Sequence, residues 1–318
     1  MAKNMYQKRA ERKAKALDEN SNKGGLQKNV INWYPGHMAK TKKQIIEDLK
    51  LIDVVIEILD ARIPKSSKNP DMEQYIKEKN RIIVLNKSDL ADPNATKKWI
   101  QYFENKGIQA IEMEASKGKG VKSIVPLIER AYKENSEKYI RKGRIGRTIK
   151  VMILGIPNVG KSTFINSISN KSSARVANRP GVTTQKQWIS LGENIELMDT
   201  PGMLWPKLND EGVAMNLAFV NTIGHTAIDN EQISYELLKY LIQNYKSRIE
   251  ERYEIKLNED EKDEEIDETL KIRNQIAIKK GCILPGNKIN EQKVSDMIIN
   301  DFQSGKLGKI TLEIPNKN

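Results

Sequence analysis

The 318-residue sequence predicts an α/β fold: a parallel sheet with helices on both faces, followed by a smaller, mostly α-helical domain. Three observations predict it. First, Leu51–Asp60, Arg81–Asn86, Ile149–Gly155 and Ile195–Asp199 are short runs rich in Val, Ile and Leu, each closed by a polar or Gly-bearing turn. Near-continuous apolar runs of this length read as central parallel strands, buried on both faces. Second, helical stretches such as Thr96–Lys106 and Ser123–Tyr139 lie between them, and strands alternating with helices build a covered parallel sheet. Third, the strand signal fades from about residue 206. Ile233, Leu237, Leu241 and Tyr245, then Val294, Met297, Ile298 and Phe302, recur at helical spacing.

Three segments follow from this reading. Residues 1–29 hold eight Lys or Arg against three acids and almost no large apolar side chain, so they read as a basic flexible arm. Residues 30–205 form the sheet domain, and 206–318 the helical one. Within the latter, Glu250–Glu268 carries eleven acids and three bases and reads as a solvated helix or loop. The net charge of +12 points to a polyanionic partner, most often nucleic acid, although a Lys-rich composition alone also produces such a surplus. One cysteine, Cys282, excludes an internal disulfide framework, and two histidines exclude a His-rich metal site. With no apolar run of membrane-spanning length and no secretory leader, a cytoplasmic location is expected and no membrane partner.

The strand Ile149–Leu154 runs into Gly155-Ile156-Pro157-Asn158-Val159-Gly160-Lys161-Ser162, the Gly-x4-Gly-Lys-Ser phosphate loop, with Thr163 just inside the helix that follows. Backbone N–H groups of such a loop curl round a β-phosphate, and the helix N-terminus adds its dipole. Lys161 is placed to reach the β- and γ-phosphates and Ser162 to hold Mg²⁺. Forty-four residues after Gly155 comes Asp199-Thr200-Pro201-Gly202, where Asp199 suits a water-mediated contact to Mg²⁺ and the Gly202 N–H suits a γ-phosphate. Between them, in Arg179-Pro180-Gly181-Val182-Thr183-Thr184, Thr183 is the candidate switch threonine for Mg²⁺, with Thr184 as its neighbouring alternative.

Base recognition is written earlier in the chain. Asn86-Lys87-Ser88-Asp89 follows the strand Arg81–Leu85. The Asp89 carboxylate can accept from guanine N1–H and the 2-amino group, donors that adenine lacks, and a site built around such donors rejects the wrong base strongly. Asn86 would brace the loop, Lys87 would lie over the base, and Ala115-Ser116-Lys117 would offer a backbone N–H to guanine O6. The guanine motifs therefore precede the phosphate motifs, the reverse of the usual order. A sheet does not record chain order if its ends can be joined, so a circular permutation keeps the crevice at the carboxyl ends of the strands.

These motifs, with Trp33-Tyr34-Pro35-Gly36-His37-Met38-Ala39-Lys40, Asp60-Ala61-Arg62-Ile63-Pro64, Asp199 to Pro206 and Asp301 to Gly308, resemble the circularly permuted P-loop GTPases that assemble the large ribosomal subunit, over about residues 31 to 314. The chain departs from that pattern at its longer arm, at Gln303, at Pro285-Gly286 and across Asn221–Asp229. The resemblance implies GTP as substrate, Mg²⁺, and the large (50S) subunit precursor with its rRNA as partner, acting late in assembly and as a monomer. Two other readings are a GTP-gated RNA-binding switch and a permuted GTPase serving another RNA particle. It implies further that Asn158 helps hold K⁺ against the nucleotide and that His37 takes part in hydrolysis; His37 read by itself is equally a structural or RNA-contacting residue. His225 reads as structural. Where many GTPases carry a water-orienting Gln after Asp-x-x-Gly, this chain has Met203 and then Leu204, which implies slow turnover that depends on help in trans. Arg62 fits either an internal pair or an rRNA contact. Lys133–Lys150, with seven bases and two acids, joins the arm as a candidate phosphate-binding stretch.

Overall fold

The computed structural model describes residues 36–133, 148–171, 188–205, 210–223, 229–257 and 267–316. The arm, Thr183 and Thr184, His225 and most of Lys133–Lys150 lie outside them, as do the side chains of Gly36, His37 and Met38. The sheet unit runs α1 (Gly36–Leu49), β1 (Val54–Asp60), α2 (Pro70–Ile76), β2 (Asn80–Asn86), α3 (Pro93–Glu104), β3 (Gln109–Glu112), α4 (Ile124–Lys133), β4 (Ile149–Leu154), α5 (Lys161–Lys171), β5 (Trp188–Leu191), β6 (Ile195–Met198) and α6 (Glu211–Phe219). The six strands lie in the order β3-β2-β1-β4-β6-β5, all parallel except β5, which pairs antiparallel with β6. From β1 the chain steps outward to β2 and β3, then crosses back to place β4 and β6 on the other side. That reversal opens a crevice beyond the carboxyl ends of β1 and β4.

All seven residues of β1 are buried, as expected of a central parallel strand. Two of them, Glu57 and Asp60, are charged; Glu57 lies mid-strand. Its carboxylate accepts from Arg81 of β2 at 2.8 Å, and Arg81 also pairs with Glu73, so the buried charge is matched. Burial still pushes the Glu57 carboxyl above its usual range, against the pull of Arg81. Helices start where the sequence caps them. Asn69 accepts from Asp71 N and Pro70 opens α2; Asp92 accepts from Asn94 N and Ala95 N, and Pro93 opens α3. Ile45, Leu49 and Ile52 recur at helical spacing and bury α1 and its exit against Met152, Leu154 and Met198.

The second unit holds α7 (Asn230–Asn244), α8 (Lys246–Tyr253), α9 (Glu268–Lys279), the hairpin β7 (Ile283–Leu284) and β8 (Lys288–Ile289), and α10 (Glu291–Gln303). α7 and α10 pack closely, and their buried hydroxyls, Ser234 and Ser295, satisfy each other at 2.8 Å. Chain contacts divide the molecule at Thr222, not at residue 205, and return 309–316 to the sheet unit. The boundary expected from sequence is corrected for a physical reason. Asn216 of α6 donates to Ser66 Oγ at 3.1 Å, and Ile310 and Leu312 donate backbone N–H groups to Leu90 O and Arg62 O. No helix among the described residues is long and apolar enough to cross a membrane.

Candidate nucleotide site

Four loops meet at the carboxyl edge of the sheet. β1 and β2 run in register so that Asp60 lies beside Asn86 at their ends. β4 delivers Gly155, and β6 delivers Asp199. The phosphate loop is built round its glycines. A Cβ on Gly155 would stand 2.8 Å from Ile58 O, and one on Gly160, at φ +95°, would stand 2.4 Å from Asn86 Nδ2. Phe164 N donates to Gly160 O at 2.8 Å to close the first turn of α5, which leaves Ser162 and Thr163 exposed at a helix N-terminus.

Lys161 folds back over this loop. Its ammonium donates to Gly155 O at 3.0 Å and Ile156 O at 2.9 Å. Burial depresses its pKa to about 8, partly offset by Asp199. Burial likewise pushes the Asp199 carboxyl up, while Lys161 and the Thr200 N–H pull it down. Gly202 closes against both partners of the loop: a Cβ there would come within 2.8 Å of Lys161 Nζ and 2.9 Å of Pro157. Met203 N donates to Gly155 O at 3.3 Å, and Asn69 Nδ2 donates to Met203 O at 3.1 Å.

The base motifs are tied to the phosphate loop directly. Asn86 Nδ2 donates to Val159 O at 2.8 Å, and Asn86 Oδ1 accepts from Ala115 N at 3.1 Å. Lys87, in the left-handed region at φ +58°, donates to Asn158 O at 2.7 Å and sits 3.1 Å from Asp60. Ser88 N donates to Met113 O, which ties the loop after β2 to the end of β3. Asp89 is partly exposed beside that loop. Beyond it Ser116 and Lys117 form a turn in which Glu114 first, and Asp89 also, hold the Lys117 ammonium protonated. Asn158, at φ +61°, donates its side-chain amide to Asn221 O at 2.6 Å. Arg62 is an internal residue. It is buried with Asp60 and grips that carboxylate through Nε at 2.9 Å and a terminal nitrogen at 2.8 Å, which holds the Asp60 carboxyl far below its usual range.

A cleft of about 620 Å³ lies over the phosphate loop. Pro157, Asn158, Lys161, Ser162 and Asp199 to Gly202 form one wall, and Thr41, Gln44, Ile45 and Asp48 of α1 form the other. Sequence reasoning missed that second wall. Its signal was available: positions 41, 44, 45 and 48 share one face of a helix, and position 37 stands one turn before Thr41 on it. Among the described residues no group of three or more His, Cys, Asp or Glu side chains gathers to form an all-protein metal cage. The donors present are Ser162 and Asp199, a sparse oxygen set of the kind that Mg²⁺ uses when phosphate and water complete its shell.

Comparison with known proteins agrees with this geometry. A family profile described as a 50S ribosome-binding GTPase matches residues 150–280. The chain is 43% identical over 288 residues to ribosome biogenesis GTPase A of Bacillus cereus, covering 91% of this chain and 95% of that one. It is 42% identical to the protein of that name from Bacillus licheniformis, covering 90% and 99%. A GDP-bound structure of YlqF superimposes with a TM-score of 0.63 at 24% identity, over 86% of this chain and all of the other, so the fold is shared. With the permuted strand order and the four nucleotide loops in place, the chain belongs to the ribosome biogenesis GTPase A family and is a GTPase of ribosome biogenesis.

Proposed function

We propose that this GTPase binds the immature large (50S) ribosomal subunit through its rRNA in the GTP state, hydrolyses GTP there at a late assembly step, and leaves as the GDP form. The observation that carries the nucleotide part is Asn86, whose single amide links the phosphate loop at Val159 O to the base loop at Ala115 N. Base and phosphates are thereby read at one fixed separation, as nucleotide recognition requires. The subunit partner is supported by the description of the matching family and by the net charge of +12.

In this reading the Asp89 carboxylate takes guanine N1–H and the 2-amino group, and the Ala115–Lys117 turn supplies a backbone donor to O6. Pro157 to Gly160 wrap the phosphates with their backbone. The buried Lys161 ammonium, already stripped of water, is a ready partner for a polyanion, and Thr163 sits beside it at the helix start. Ser162, Thr183 and Asp199 are the residues that would hold Mg²⁺, which supplies charge neutralisation at the β- and γ-phosphates. Asn158 Oδ1 is the acceptor left for K⁺ once Nδ2 is engaged with Asn221 O. Gly202 senses the γ-phosphate through its N–H. His37, one turn from the cleft wall at Thr41, positions the attacking water, and the protein works as a cytoplasmic monomer.

The test is GTP hydrolysis in KCl and in NaCl, alone and with purified large or small ribosomal subunits. The expected result is slow turnover alone, faster in KCl, with stimulation of about 10³-fold or more by the large subunit only, the scale of a catalytic group supplied in trans. Equal stimulation by the small subunit, or by neither, would overturn the partner assignment. Equal rates in the two salts would remove K⁺ from the site.

A further inference from the structure

After the helical unit the chain comes back. Residues 309–316 lie along the sheet unit and bond to the segment that follows β1, to the segment that follows β2 with α3 beyond it, and to α6 through Asn216. Leu312 N donates to Arg62 O at 2.8 Å. Glu313 accepts through its carboxylate from Lys65 N at 2.7 Å, Ser66 N at 3.0 Å, Asn216 Nδ2 at 3.0 Å and the Ser66 hydroxyl. On the other side Ile310 N donates to Leu90 O at 3.0 Å, Thr311 Oγ1 accepts from Asp92 N at 3.0 Å, and Glu313 O accepts from Trp99 Nε1 at 2.9 Å. Ile310 and Thr311 are fully buried.

The placement of these bonds is what gives them meaning. Leu90 directly follows Asp89, the residue assigned to the guanine edge. Arg62 grips Asp60, which in turn sits against Lys87. The strap therefore clamps both ends of the segment Asn86–Asp89 from outside, one through Leu90 and Asp92, the other through Arg62 and Asp60. A loop held at both flanks cannot drift relative to the phosphate loop to which Asn86 and Lys87 are bonded.

We propose that the C-terminal strap, anchored by Glu313 and Thr311, is the positioning element for guanine selectivity, holding Asp89 at the depth where it meets the 2-amino group of the base. This rests on the assignment of Asp89 to guanine made above. Glu313 and Thr311 touch no nucleotide; they act through Leu90, Asp92 and Arg62. Their removal is thus expected to weaken base reading while leaving phosphate chemistry alone.

The experiment uses the full-length chain carrying Glu313→Ala, Glu313→Gln or Thr311→Val, with GDP and inosine diphosphate titrated side by side and GTP turnover measured at saturation. Inosine diphosphate lacks only the 2-amino group. The expected result for Glu313→Ala is GDP binding about tenfold weaker, the scale of losing one bond to a charged group. Binding of inosine diphosphate changes less, so the preference for GDP shrinks, and kcat stays at the parent value. Glu313→Gln, which keeps an acceptor, falls between. Thr311→Val, close in volume, shows the same loss of preference even where Glu313→Ala folds poorly. Equal losses for both nucleotides, or a lowered melting temperature with the preference intact, would overturn the proposal. Asp89→Asn is the control. If it leaves the preference untouched, the guanine assignment itself falls; if it abolishes the preference while the strap variants do not, the strap alone is wrong.

Discussion

At Lys161 the structure sets a measurable proton balance. Its amine is buried, bonded among the described residues to two loop carbonyls, and burial lowers its pKa to about 8 from its ordinary value of 10.5. The unfolded chain therefore binds more protons than the nucleotide-free protein between these two values. The sign follows: nucleotide-free stability rises with pH through that window, because the penalty for burying the charge disappears as the amine deprotonates. A bound polyphosphate reverses the penalty by giving the ammonium a partner and raising its pKa. GDP binding at pH 8.5 is thus expected to take up a fraction of a proton, and affinity to decline as pH rises above 8. Calorimetry at pH 8.5 in two buffers of different ionisation enthalpy reads the uptake directly. The same measurement at pH 7, where the amine is protonated in both states, should show little from this group. Absence of any uptake at pH 8.5 would mean that Lys161 is already charged before the nucleotide arrives.

At the scale of elements, α1 and the loop after β6 act as one piece. Met203 stands where a water-orienting Gln is common, yet it is buried at 4% exposure in a cluster with Ile45 and Leu49 of α1, and Asn69 holds its carbonyl. Met203→Gln is therefore expected to place an amide in an apolar cluster, costing about 1–3 kcal/mol of stability without raising hydrolysis. Thermal melting and single-turnover hydrolysis together check this; a tenfold faster variant would mean that the side chain swings into the cleft. The same elements show what sequence makes legible. β1, β2, β4 and β6 were readable because strands buried on both faces need near-continuous runs of Val, Ile and Leu, and α3 because it is amphipathic, with Asp92-Pro93 moving its start to residue 93. β3 and β5 were not: each is four residues long and lies at an edge of the sheet, where half-burial erases the apolar run. The phosphate loop, Asn86 to Asp89 and Asp199 to Gly202 announced themselves by residue type and spacing. The α1 wall did not, because Thr41, Gln44 and Asp48 are ordinary polar residues whose meaning comes only from the face they share. Arg62 was ambiguous for the opposite reason, since a buried pair with Asp60 and a solvent-facing contact use the same residue type.

For the molecule as a whole, chain order and charge distribution carry the remaining argument. The helical unit is inserted between Thr222 and Lys309, so the chain leaves the sheet unit after α6 and returns to it at the strap. The linear pattern of 210–222 and 309–316 does not assign them to one unit or the other; partners such as Ser66, Leu90 and Arg62 do. The positive charge is as unevenly shared. The arm, with eight bases and three acids, and Lys133–Lys150, with seven and two, hold most of the net +12, whereas in the nucleotide site Asp199 lies within electrostatic reach of Lys161 and Asp60 pairs with both Arg62 and Lys87. These two kinds of charge respond to salt differently. In the proposed complex, cations that neutralise rRNA phosphates release condensed counterions, so association should weaken linearly in log–log form, by roughly 0.7–0.9 per contact. Buried pairs are screened far less. Raising KCl from about 0.1 to 0.4 M is therefore expected to lower affinity for the large subunit with a slope steeper than about −3, while GDP affinity changes less than about twofold. Sedimentation binding across that range gives the first number and nucleotide titration the second. A flat response for the subunit would mean that recognition rests on protein contacts or shape and that the basic arm is a solubilising end; a steep response for GDP would mean that the site draws its charge from the exposed surface rather than from its own buried pairs.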